Sequence, residues 1–415
     1  MSTVRLISVI FLLGLVAFAG LAVGTDAVHE QPDGAADPPS EMQPVPEPNT
    51  TEYLAIPSGE IEREGFERGE LDVAAAVSGD VGATKADYIS ADLQRSLRTA
   101  ETQDDRRAAV ERAAERSAAR VEALEQRERQ AVIEYGNGAR DGTSLLRTLV
   151  AADTEARALD DTIVEIHEAN DGLNQPPTTV EELASLRTRL IPLQGPVRSQ
   201  LGMSVSGDAD DRVFVETRGG DVTLASIDAG WYVREAHYRD GRDLDGFDQL
   251  GFSGAEQRYG ELYPWTFNNS GPTNYGTIAG QPFYHHAHVY DVAVGHAHGS
   301  GSTTDLITYL DGFTANVFVE QQRKDPTLVP TDTLETESDD EELRLLVNTT
   351  RAGGPLGVAV VDESTDELVD ANVELNDVAV GSTGGETLWT VAPRGDVQIT
   401  ATHAGETLTV ETRLE

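Results

Sequence analysis

Five of the nine histidines, His285, His286, His288, His296 and His298, fall within fourteen residues, in the run YHHAHVYDVAVGHAH. Neutral imidazole ligates Zn²⁺, Cu²⁺ or Ni²⁺, and residues i and i+2 of a strand share a face. His286 with His288, or His296 with His298, could therefore each present two nitrogens to a divalent metal. Distance limits the idea. Read as one extended strand, the run separates His288 from His296 by roughly 26 Å, so a single four-histidine centre requires a sharp bend or a second chain. The competing reading, and the stronger of the two, makes them polar positions on the exposed face of an edge strand that leads into the Gly/Ser loop 299–304. A divalent metal is the one cofactor the sequence suggests.

The remaining chemical motifs are near misses, each failing at a position its mechanism requires. Asp240, Asp243, Asp245 and Asp248 around Gly246 have the composition of a calcium loop. Gly241 stands where the first EF-hand ligand belongs and Phe252 where the bidentate Glu belongs, which favours a solvated turn. HEAND (167–171) opens like a zincin helix and then places Asp171 at the second histidine. Neither GMSVSG (202–207) nor GFSG (251–254) completes a G-x-S-x-G elbow. The two lysines, Lys85 and Lys324, lie outside any Walker sequence, which excludes a P-loop NTPase. Tyr259, Tyr263, Trp265 and Phe267 recur at partly helical spacing and read as core rather than a ligand platform. No catalytic residue is assigned, and the expectation is a protein without enzymatic activity.

Composition sets the medium in which these residues fold. The formal net charge is −41 over 415 residues, with arginine common and lysine almost absent. Such a surface repels itself in ordinary buffer. Near molar salt the screening length shrinks to about 3 Å while carboxylates keep the surface hydrated, so the charge points to a cell that lives in high salt. Arginines of the first long helical stretch are interleaved with Glu and Asp, which leaves no basic patch and disfavours nucleic-acid binding. The chain has no cysteine; packed cores, not disulfides or thiolate zinc sites, must hold it together.

Within residues 1–24, Arg5 precedes an apolar run from Leu6 to Val23. This reads as an export segment, either a signal peptide cleaved after Gly24 or Ala27 or an N-terminal anchor crossing the membrane with residues 6–23. The positive-inside bias places the rest of the chain outside. Sequons at Asn49, Asn268 and Asn348 mark possible glycosylation sites and agree with that location. The expected place is the extracellular face of the cell membrane or the medium, with an unidentified protein partner at the cell surface.

The elements that would position these residues follow from periodicity. Residues 25–50 are Pro-rich and acidic and read as a disordered spacer; 51–83 give no clear element. Helical period fills 84–201. Leu145, Leu149, Ala152, Ala156, Leu159, Ile163 and Ile166 form an unbroken seam, and GNGARDG (136–142) reverses the chain from a first helix with a weaker seam, in which Ser117 and Glu128 interrupt the apolar positions. That predicts a coiled-coil-like antiparallel hairpin whose faces pack on each other rather than on a sheet. A third helix starts at Thr179 with a Thr179/Glu182 capping box. Residues 204–323 switch to strands, with one helix over 251–265 capped near Ser253 and a hairpin across Asp311-Gly312. An acidic linker (324–343) precedes alternating short strands over 344–415, an Ig-like β-sandwich. The fold class expected is multidomain α+β: a helical hairpin, an antiparallel sheet with a helix, and a C-terminal sandwich.

Two stretches resemble known families. Residues 356–401, with A-x-V-x-L-N at 371–376, GSTGGETLW at 381–389 and APRGDVQITA at 392–401, resemble the carboxypeptidase-regulatory-like, Ig-type sandwich; the resemblance implies spacing or adhesion and brings no catalytic residue. Residues 289–321 are similar to the last strands of PepSY domains, with Tyr309, Asp311, Thr314 and Val317 at the matching positions; that implies a regulator of an extracytoplasmic protease. The order of parts along the whole chain resembles exported haloarchaeal proteins built from domains of unknown function, which implies no activity.

The charge gives the first testable consequence. Melting followed by circular dichroism across a salt series should show the transition temperature fall steadily from molar to millimolar salt; a transition that stays flat contradicts the high-salt reading.

Overall fold

Strand residues in the middle of the chain are buried on both faces, and this decides the architecture. The computed structural model describes residues 40–68, 73–203, 212–244, 246–269, 283–286, 288–298, 301–338 and 342–415, with 73–80, 203, 283–286, 296–298 and 301–303 described by their backbone alone. The expected export segment and residues 25–39 of the expected spacer lie outside these residues.

β1 (Gln43–Glu47) and β2 (Thr50–Ala55) form an antiparallel hairpin that turns at Asn49, whose φ of 55° is left-handed. Residues 43–50, expected to belong to the disordered spacer, are therefore ordered. Composition does not register the contacts that order this segment: Met42 and Leu54 are buried, and the buried Glu52 carboxylate accepts hydrogen bonds from the Trp265 and Thr266 amides. β3 (Arg63–Arg68) follows.

Helices come next: α1 (Val73–Thr99), α2 (Gln103–Gly136), α3 (Gly142–Asp171), α4 (Val180–Leu190) and α5 (Pro196–Met203). The first helix of the expected hairpin is thus two, because Thr102 starts a new one with a capping box to Asp105. The Thr179/Glu182 box forms at α4. The α3 seam, Ala152, Ala156, Leu159, Ile163 and Ile166, packs on Val110, Ala113, Val121 and Leu124 of α2 and on Ala86, Ile89 and Leu93 of α1. A three-helix seam replaces the pair. Its other end also departs from expectation, since Val132, Tyr135, Leu145 and Leu146, with Val197 and Leu201 of α5, lie against a sheet.

That sheet contains β3, β4 (Arg212–Arg218), β5 (Asp221–Asp228), β6 (Trp231–His237), β7 (Phe283–His286), β8 (Val289–His298), β9 (Gly301–Asp311) and β10 (Val317–Lys324), in spatial order β3-β4-β5-β6-β10-β9-β8-β7 with every neighbour antiparallel. Alternation sorts its side chains. Val213, Val215, Val222, Leu224 and Val233 face the helices, while Ala236, Tyr290, Val292, Leu306 and Leu310 face the β1–β2 hairpin and α6 (Gly251–Leu262). The helix expected over 251–265 breaks at Pro264, where α7 (Pro264–Asn269) begins. Asp248, not Ser253, accepts from the Leu250 and Gly251 amides at the start of α6. Tyr259 and Tyr263 stack in the core at 5.1 Å. β9 and β10 join across residues 312–316, a longer connection than an Asp-Gly turn, with Ala315 at φ 59°.

The C-terminal sandwich packs β11 (Asp332–Glu337), β12 (Leu343–Thr349), β13 (Pro355–Asp362), β14 (Glu367–Val369) and β17 (Leu388–Val391) against β15 (Asn372–Leu375), β16 (Val378–Ser382), β18 (Gly395–His403) and β19 (Glu406–Leu414). The expected acidic linker 324–343 is largely structure: Lys324 ends β10, and β11 is the edge strand beside β12. Its acidic side chains point outward and deter edge-to-edge pairing.

Leu159, with no exposed surface at the centre of the helical seam, gives a direct test. Leu159→Asp should lower the unfolding free energy by at least about 3 kcal/mol, since a cavity and a buried charge add. Urea titration in molar salt measures it, and wild-type stability would place the seam in solvent.

Candidate functional site

One buried set of titratable side chains lies between helices and sheet. Arg198 of α5, fully buried, pairs with Glu128 of α2 at 2.9 Å and with Glu235 of β6 at 2.8 Å. Arg239 reaches the second Glu128 oxygen, and His237 Nε2 lies 3.3 Å from Glu235. The Glu235 carboxylate also accepts from the Val197 amide at the start of α5. Burial works to raise both carboxyls, but the charges of Arg239 and Arg198 outweigh it at Glu128, and at Glu235 it is outweighed by the hydrogen bond from His237 together with the charge of Arg198, so both are lowered. His237 is lowered by burial and by Arg198 and stays neutral. Its Nδ1 finds no partner among the described residues, which a protonated ring could not tolerate cheaply. With their oxygens taken by guanidinium, amide and imidazole, these carboxylates act as staples between layers.

A cleft of about 460 Å³ opens beside this network, lined by Arg157 of α3, the 194–196 segment, Ser199 and Gln200 of α5, Asp228 of β5, Tyr309 of β9 and Gln321 of β10. Its floor is fixed. Gly195 donates its amide to Asp153, which binds Arg157 through two hydrogen bonds of 2.9 Å. A side chain at Gly195 would begin 1.9 Å from Glu235 Oε2, so only glycine permits this approach.

A second network fills the opposite face. Arg234 pairs with Glu320 at 2.9 Å, Glu320 accepts from the Leu54 amide and the Tyr263 hydroxyl, and Lys324 pairs with Glu47 at 2.8 Å. Arg351, from the sandwich, bonds Glu47 at 3.0 Å and lies over the Tyr53 ring. Burial would raise Glu47, but Lys324 and Arg351 hold it down at about 2. The sandwich is fastened further by Tyr232 donating to the Gly353 carbonyl at 2.6 Å, by Arg394 reaching Glu64 and Glu216, and by Val391 packed with Phe214, Ala225 and Tyr232.

The histidine cluster is not one extended strand. His285 and His286 end β7, His288 turns the chain at φ 61°, and His296 and His298 lie at the far end of β8 opposite Thr304 and Gly301. His288 sits 3.4 Å from Asp248 and against the Phe313 ring. The side chains of His286, His296 and His298 lie outside the described ones, and among the described residues no three potential ligands converge. Of the acidic turn, Asp248 also accepts from Tyr290, while Asp245 lies outside the described residues. His167 faces Asp171 across one helical turn at 3.5 Å. Asn49 and Asn268 are exposed; Asn348 is half-buried on β12 and accepts from Thr333. Among the described residues no helix is long and apolar enough to cross a membrane. Sequence reasoning missed the Arg198 network, although Glu128 at a seam position was its visible trace.

Residues 2–210, half of the chain, match the family model of a domain of unknown function, DUF7096. Residues 213–330 match a family of unknown function, DUF7094, and 333–410 are similar to the archaeal fibronectin-III type-like domain. The sandwich expected for 344–415 is therefore fibronectin-III-like and takes in β11. The first two matches meet between β3 and β4, neighbouring strands of one sheet, so the two regions share a core. No curated protein and no solved structure matches the chain.

The ionic core predicts a pH dependence. The unfolded chain binds a proton at His237 before the folded one does, so stability in molar salt should fall as pH drops below the ordinary histidine value of 6.5, and fall further below 4.5 as the depressed carboxyls protonate. His237→Gln should flatten the upper limb and leave the lower one. Urea titrations at stepped pH read both, and an unchanged upper limb in the variant would mean that His237 does not carry it.

Proposed function

The chain belongs to the DUF7096 family, and from that premise we propose that it is an exported or membrane-anchored cell-surface protein with a structural and interaction role in a high-salt archaeal cell. The observation that carries this is the way the fibronectin-III-like sandwich is mounted. A module strung on a flexible linker would have few contacts with its neighbour. Here Tyr232, Arg394, Arg351 and Val391 fasten it to the sheet, which suits a rigid presenter of surface rather than a mobile tether. The apolar run Leu6–Val23 behind Arg5 and the −41 charge support export and high salt. An unidentified protein partner at the surface fits the same reading, with residues 6–23 holding the membrane if they are retained.

The test is where the chain goes. Full-length protein with a C-terminal tag, made in a high-salt archaeal host, should appear in the membrane fraction or the medium, and protease added to intact cells should remove the tag from any cell-bound protein. Recovery from the cytosol in protease-protected form would overturn the proposal.

A further inference from the structure

The cleft between α5 and the sheet has a chemistry that the ionic core behind it does not need, and we propose that it binds a neutral saccharide. Three carboxamides (Gln194, Gln200, Gln321), the Ser199 hydroxyl, the Asp228 carboxylate and the Tyr309 phenol line it. Amides and hydroxyls both donate and accept, as sugar hydroxyls do, and a carboxylate accepts from two neighbouring hydroxyls at once. Tyr309 adds an aromatic ring with a polar tip, suited to the apolar face of a pyranose.

Other ligand classes fit less well. An anion would need free positive charge, yet the lining guanidinium, Arg157, is bound by Asp153 through two bonds, and the chain as a whole is strongly acidic. An apolar ligand would need greasy walls, and here Ile191, Pro196 and the Tyr309 ring are interspersed with amides, a hydroxyl and a carboxylate. The volume, about 460 Å³, falls within the range of small-molecule sites. The walls are also held in advance of any ligand. Gly195 is pinned to Asp153 at 3.0 Å, Ser226 donates to Gln200 at 3.3 Å, and Gln321 donates to the Gln194 carbonyl at 3.4 Å; such preorganisation lowers the entropic cost of binding. Asp228 is the one carboxylate among the lining residues, whereas glycoside hydrolysis canonically uses a pair, so the cleft suits binding rather than hydrolysis.

Saturation-transfer NMR on purified full-length chain in molar salt, against glucose, mannose, galactose, N-acetylglucosamine and their disaccharides, tests it. At least one should receive saturation, and Gln321→Leu and Asp228→Asn should each weaken that ligand at least about tenfold, the scale of one lost hydrogen bond to a well-placed group. Leu368→Ser, on the sandwich surface, should bind as wild type. Melting curves separate loss of binding from loss of fold, and Ser199→Ala replaces Gln321→Leu if the latter melts early. No transfer to any sugar, equal binding by all variants, or competition of the signal by a neutral peptide but not by unlabelled sugar would each overturn the proposal.

Discussion

The pairing of β6 with β10 puts Gln321 opposite Glu235 and Gln322 opposite Arg234 at the centre of a sheet covered on both sides. Strands buried on two faces are ordinarily apolar runs. These two instead send Glu235 and His237 toward the helices and Arg234, Glu320, Gln322 and Lys324 toward the hairpin and the sandwich, all buried. Glu235 is met by Arg198 from α5 and Lys324 by Glu47 from β1, while Arg234 and Glu320 pair with each other and reach the Leu54 carbonyl and amide of β2. Arg198 in turn binds Glu128 of α2, and Glu47 binds Arg351 of the sandwich. Apolar clusters could tolerate a small slip between layers; these pairs cannot, because a slip leaves a charge in the interior without a partner. The ion pairs therefore fix how the layers register, and the apolar contacts supply most of the stability.

This division matters for a chain whose surface is built for salt. Molar electrolyte removes most interactions between exposed charges but penetrates poorly to buried pairs. Arg116–Asp92 at the surface and Arg198–Glu235 in the core are thus different objects, although both are short. The first fades with ionic strength and the second persists.

Features carried by local periodicity were legible in the sequence: the Leu145–Ile166 seam, the Thr179 capping box and the alternation of the sandwich. Features that depend on a distant partner were not. β1 looks like a spacer and β2 like no element at all because their order comes from α7 and β10, and β11 looks like a linker because an exposed acidic edge strand has one-sided burial and no apolar alternation. The break at Thr102 was readable, since Asp105 stands three residues on, but the Ala-rich stretches either side masked it. For the candidate site the misdirection was stronger. Five clustered histidines drew the metal reading, whereas the single His237 beside Arg234 and Glu235 sits in the ionic core. The cleft draws its lining from α3, α5, β5, β9 and β10, so no spacing along the chain could announce it.

The adjacency of β3 and β4 has a consequence for how the molecule assembles. Arg68 lies opposite Arg212, so joining these strands closes a loop of roughly 140 residues at an entropic cost of about 4 kcal/mol relative to free ends. A tight turn would join the same strands almost without that cost. The helices are accordingly a long excursion between two sheet neighbours, and the excursion shortens the effective loop only once its own seam has collapsed. Collapse of the helical seam thus lowers the entropic cost of joining β3 to β4, and the stability of that pair is tied to the helices between them.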